Sequence, residues 1–156
     1  MSDYAFVTRW RIGAPIERVF ARIEDAAGWP SWWRGVRDVR VIEAGGADGV
    51  GRVVRTTWRS RLPYDLTFNA RMVRHDPPRA LEVRAFGELE GAGRWELSPD
   101  GDATAVTYHW TVATNKWWMR LVAPVARPLF RWNHDAIMRW GGQGLASTLG
   151  ASFEER

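Results

Sequence analysis

Acid–base side chains adjoin at Asn133-His134-Asp135, the most tempting catalytic string in the chain. An imidazole titrates near neutral pH, so His134 has the chemistry of a general acid or base. Adjacency does not make a dyad, because successive helical residues point about 100° apart. Spacing of four from Leu129 and to Ile137 puts Asn133 on the inward stripe of a C-terminal helix. His134 then falls on the flank, where it is expected to cap or hydrogen-bond a neighbouring strand or loop. His75, beside Asp76 in a turn, is expected in solvent, and His109 on the outward face of a strand. Three isolated histidines without HExxH-type spacing give no metal site. There is no cysteine, hence no thiolate nucleophile and no disulfide. No G-x-S-x-G elbow, P-loop or strand-to-helix G-x-G-x-x-G occurs, and nothing calls for a cofactor.

Composition narrows the classes further. The 156 residues fit one domain, spanning 1–156. The net charge is +4 despite a pI near 10.3, because nearly all the basic charge is arginine and Lys116 is the sole lysine. The N-terminal "MSDYAFVTRWRIG" lacks a basic-then-apolar signal pattern, and no run approaches the ~18 apolar residues of a membrane span. The expectation is a cytoplasmic protein with no integral membrane segment. Eleven tryptophans are many for this length. They mean either a very aromatic core or an aromatic-lined cavity.

The elements that must carry these residues follow from periodicity. "YAFVTRWRIG" alternates as a strand, with Phe6, Thr8, Trp10 and Ile12 on one face. "APIERVFARIEDAAGW" is helical, and "WPSWWRG" is a short second helix or turn that is either a lid or a packed corner. Six strands follow. Val54, Thr56 and Trp58 share a face, then Tyr64, Leu66, Phe68, Ala70 and Met72. Leu81, Val83 and Ala85 do the same, then Leu89, Trp95 and Leu97, and lastly Val106, Tyr108, Trp110 and Val112. The opposite face is rich in arginine, including Arg9, Arg11, Arg55, Arg59 and Arg84. An RNA-binding sheet mixes aromatics and cations on one open face, so nucleic acid is not expected. "KWWMRLVAPVARPLFRW", interrupted by Pro124 and Pro128, reads as a lead-in to the last helix, although its tryptophans and arginines also suit a membrane surface. The last helix contains Gly141, Gly142 and Gly144, each costing about 1 kcal/mol against alanine. Such glycines admit a close neighbour, leave room for a ligand beside Ile137 and Trp140, or permit a kink.

This order of elements resembles the START-like superfamily (SRPBCC, helix-grip proteins), in particular its bacterial polyketide cyclase/dehydrase-type branch. The likeness rests on "WRIGAPIERVFARIEDAAGWPSWW", the strand run with a G-x-G turn at Gly49 and Gly51, "LEGAGRWEL…TAVTYHW", and "PLFRWNHDAIMRWGGQGL". The resemblance implies an α+β helix-grip fold. A curved antiparallel sheet of about seven strands wraps around a long C-terminal helix, with two short helices between the first two strands and an apolar cavity inside.

Within that fold the inward set becomes the candidate ligand-binding set: Trp10, Thr56, Trp58, Tyr64, Phe68, Met72, Trp95, Tyr108, Trp110, Asn133, Ile137 and Gly141. Thr56, Tyr64, Tyr108, Asn133 and Arg52 are the candidate polar groups among apolar walls. The expected function is carrying or sensing a hydrophobic small molecule such as a lipid or polyketide. The alternative is an aromatase/cyclase or dehydratase-like enzyme, with His134, Arg52 or Tyr108 as catalytic candidates. An enzyme requires an acid–base group facing the cavity, and a carrier does not. The lead-in would close the mouth of the fold. Trp117 and Trp118 are a candidate dimer contact, so either a monomer or a homodimer is expected.

Overall fold

The computed structural model describes residues 4–156. Strand β1 (Tyr4–Ile12) leads into helix α1 (Ile16–Glu24) and a 3-10 helix (Ala26–Ser31). Strands β2 (Val36–Glu43), β3 (Val53–Arg59), β4 (Asp65–Asp76), β5 (Ala80–Gly87), β6 (Leu89–Asp100) and β7 (Ala103–Thr114) follow. The chain then forms helix α2 (Trp117–Leu149) and a short strand β8 (Phe153–Glu155). The sheet is antiparallel throughout, in the order β2-β3-β4-β5-β6-β7-β1-β8. This is the expected helix-grip architecture, with eight strands in place of seven. β8 is only three residues long and carries no readable alternation. It forms because the chain reverses at Gly150, which is left-handed (φ 62°), and returns along β1.

The proline-interrupted stretch is no lead-in. It is the first half of α2, with Pro124 and Pro128 inside the helix. Each proline removes an intrahelical bond, here to the carbonyls of Arg120 and Pro124, at a cost of about 3 kcal/mol. Both lie four apart on the exposed side, where water reaches those carbonyls. The opposite side buries Met119, Ala123 and Phe130, and that packing holds the helix. Leu129, assigned above to the inward stripe, is exposed; the stripe runs through Phe130, Asn133 and Ile137.

All three glycines of α2 admit neighbours. A Cβ at Gly141 would stand 2.5 Å from Trp33 Cε2, one at Gly142 would enter the Phe153 ring, and one at Gly144 would fall on the Trp32 carbonyl oxygen. The two tryptophans after the 3-10 helix therefore lie directly against α2. Trp33 is 2% exposed, and its Nε1 donates to the Ile137 carbonyl at 2.9 Å. "WPSWWRG" is a packed corner, not a lid.

Two apolar clusters result. One joins α1 and the C-terminal half of α2 to Trp10, Trp33, Trp95 and Val106. The other joins the N-terminal half of α2 to Phe68, Ala85, Trp110 and Val112.

Candidate functional site

A cavity of about 130 Å³ lies where the two clusters meet. Strand register builds its floor. Met72 of β4 lies opposite Val83 of β5, Val83 opposite Gly93 of β6, and Gly93 opposite Trp110 of β7. The next rung sets Leu81 opposite Trp95 and Trp95 opposite Tyr108. At Gly93 a side chain would crowd the Tyr108 hydroxyl, since a Cβ there would lie 2.7 Å from it. The glycine therefore leaves the hydroxyl its place inside.

Most of the expected set meets at this cavity. β3 and the residue before it contribute Thr56, Trp58 and Arg52, and β4 contributes Phe68 and Met72. Trp95, Tyr108 and Trp110 come from β6 and β7, and His134 and Ile137 from α2. Four expected residues are not on its wall. Trp10, 1% exposed, is core, between Trp33 and Trp95 at ring separations of 6.2 and 5.6 Å. Tyr64 packs edge-on against Trp118 at 5.2 Å. Asn133 is buried away from the cavity, and its Oδ1 has no hydrogen-bond partner. The space beside Gly141 holds the Trp33 indole.

The expected ligand-binding set left out Ile23, Glu24, Trp29 and Trp33, all of which border the cavity; the last two belong to "WPSWWRG", which reaches it as a packed corner. Ile23 was legible as an inward position of α1. Nothing local marked Glu24, whose Oε2 lies 2.5 Å from Nε2 of His75, fifty-one positions along the chain. His75 is accordingly not in open solvent; its side chain is 19% exposed and packs near Phe20.

The polar inventory is short. Thr56 is already satisfied, donating to the Phe68 carbonyl (3.3 Å) and accepting from Trp58 Nε1 (2.9 Å). It is therefore not a free orienting group. Tyr108 stacks on Trp95 at 4.1 Å, and burial raises its pKa far above the ordinary tyrosine value. Its hydroxyl stays protonated and able to donate. Among the described residues His134 has no hydrogen bond to a strand or loop. Its ring stacks on Phe6 at 3.8 Å, and Nδ1 stands 3.8 Å from Asp135 Oδ1, too far for a hydrogen bond. Burial, more than any charge nearby, holds its pKa below the usual histidine value. The wall thus carries a neutral base, a phenol, and Arg52 and Glu24. Among the described residues no cluster suits a metal ion.

The shift of His134 has a stability consequence. Unfolded, the imidazole protonates at about pH 6.5; folded, only at lower pH. Between those values the unfolded chain holds more protons, so this contribution is complete above pH 6.5 and is lost as pH falls through the folded pKa. The urea midpoint should therefore drop between pH 7 and pH 5, less steeply in His134→Gln. An equal drop in that variant would assign the pH dependence to other groups.

The family described as polyketide cyclase/dehydrase and lipid transport matches residues 5–149. No curated protein matches the chain. Among solved structures, a START superfamily protein from Mycobacterium smegmatis is similar with a TM-score of 0.75 at 13% identity, over 92% of this chain and 95% of that one. A Thermus thermophilus protein gives 0.73 at 17% identity, over 93% and 99%. The Zhui aromatase/cyclase from Streptomyces sp. R1128 gives 0.73 at 15%, over 93% and 92%. At these identities the likeness is one of fold. No helix among the described residues is long and apolar enough to cross a membrane.

Proposed function

Because this chain belongs to the polyketide cyclase/dehydrase and lipid transport family, we propose that it binds a hydrophobic, ring-bearing small molecule between sheet and α2. The observation that carries this is the cavity wall. Aromatic and aliphatic side chains surround the Tyr108 hydroxyl, which burial keeps protonated and able to donate. Such a wall takes apolar surface out of water at about 25 cal/mol per Å². The hydroxyl and the neutral imidazole of His134 would orient one carbonyl or hydroxyl of the ligand.

Size sharpens the substrate class. About 130 Å³ compares with the ~150 Å³ apolar cavity that admits benzene, and lies below the ~300–1,000 Å³ of larger ligand sites. The enclosed part of the ligand is therefore about one ring. A long acyl chain or polyketide would have to extend beyond the cavity.

Native mass spectrometry of freshly purified protein, with organic extraction, tests this. A reproducible adduct lost on denaturation, with an aromatic or polyketide-like mass spectrum, is the expected result. Bare protein whose tryptophan fluorescence no small aromatic quenches would reject the proposal.

A second reading, a cyclase or dehydratase-like activity, is favoured by one observation: His134 and Arg52 both border the cavity. A neutral His134 would take the α proton of a β-hydroxyketone whose carbonyl Tyr108 holds, and the imidazolium would return that proton to the departing β-hydroxyl, so that the C=C bond forms as the C–O bond breaks and water leaves. Its signature is loss of water from a bound β-hydroxyketone, abolished in His134→Gln although binding persists.

A further inference from the structure

Five large apolar side chains stand exposed along the first half of α2: Trp117 (73%), Leu121 (70%), Val125 (85%), Leu129 (46%) and Trp132 (47%). Steps of four, four, four and three keep them on one face, a stripe about 22 Å long. The opposite face is buried on Met119, Ala123 and Phe130. Arg120 and Arg131 run along one flank of the stripe. On the other, the Arg61 guanidinium sits 5.3 Å from the centre of the Trp132 ring. From Ala103 to His134 the sequence holds no acidic residue.

Charge decides what such a stripe fits. A second copy meeting it across a twofold axis would set arginine against arginine, with no carboxylate in the segment to answer either. An anionic bilayer supplies the complementary charge along the full length. Tryptophan, with an apolar body and one N–H, suits the headgroup boundary. The carbonyls of Arg120 and Pro124, which Pro124 and Pro128 leave without intrahelical donors, must stay hydrated. That limits insertion to headgroup depth.

We propose that the N-terminal half of α2 is a docking surface for an anionic lipid bilayer, lying in the plane of the interface. Trp117, Leu121 and Val125 enter the acyl boundary, and Arg120 and Arg131 meet headgroups. The inference uses no cavity residue, so it stands or falls separately from ligand binding.

Flotation of the full chain with vesicles tests it, using phosphatidylcholine alone and phosphatidylcholine mixed with phosphatidylglycerol. The protein should float with the mixed vesicles, far less with the neutral ones, and less as salt rises. Leu121→Ser with Val125→Ser should weaken flotation about tenfold or more. These side chains are exposed, so the fold should survive. Arg120→Gln with Arg131→Gln should act similarly on the mixed vesicles only. Absent flotation, or flotation unchanged in both double variants, overturns the proposal. So does a concentration-dependent dimer, seen by gel filtration and lost in Leu121→Ser/Val125→Ser, without flotation; that result assigns the stripe to a second copy.

Discussion

Gly144→Ala should lower the melting temperature by roughly 6–12 °C, a loss of about 3 kcal/mol. Helix propensity alone predicts the reverse, since alanine gains about 1 kcal/mol over glycine inside a helix. The contact outweighs it. A methyl at position 144 would fall on the Trp32 carbonyl oxygen, which is backbone and has no rotamer by which to move aside. Nor is that backbone free to retreat. The amides of Trp32 and Trp33 both donate to the Trp29 carbonyl, at 3.1 and 2.7 Å. Trp33 is pinned to α2 through the Ile137 carbonyl and lies 5.5 Å from the ring of Trp32. Circular dichroism melts of Gly144→Ala beside Gln143→Ala, an exposed neighbour, isolate the effect. Two coincident melts would mean that the tryptophan corner yields easily and that α2 is not clamped there.

Ala70→Phe should weaken ligand binding about a hundredfold with the fold intact. Ala70 faces the cavity between Val54 of β3 and Ala85 of β5, so the added ring has one direction open to it. About 130 Å³ does not hold both that ring and a ligand's. Excluding one ring forfeits about 3 kcal/mol of apolar burial, about a hundredfold in affinity. The measurement is tryptophan-fluorescence titration with 1-naphthol, alongside the adduct extracted from the native protein. The melting temperature should hold or rise, since the new ring packs against apolar walls. Phe86→Ala, on the exposed outer face, should bind as the parent does. Unchanged affinity in Ala70→Phe would place the ligand outside this cavity.

What the sequence determined by itself was whatever repeats at short range. Alternation along β3, β4 and β7 carried Thr56, Phe68, Tyr108 and Trp110 to one face of the sheet, and helical spacing carried Ile16, Val19, Phe20 and Ile23 to one side of α1. The order of these elements carried the resemblance that implied the helix-grip architecture. Tertiary structure decided what depends on distant neighbours. Alternation puts Trp10 and Trp95 on the inner face alike, yet only Trp95 reaches the cavity, because Trp33 arrives from the corner after the 3-10 helix, in no local pattern, and lies beside Trp10. The glycines of α2 announced a close approach without naming Trp32, Trp33 and Phe153 as what approaches. The prolines read as an interruption, because propensity counts the lost hydrogen bonds but not the packing of Met119, Ala123 and Phe130 on the far side. His134 was expected to find a polar partner; Phe6 stacks on it instead, and burial keeps the imidazole neutral. In the strands and α1 periodicity fixed which way a side chain faces; in α2 it misplaced Leu129, which is exposed. What a side chain meets is set by contacts that only the folded chain brings together.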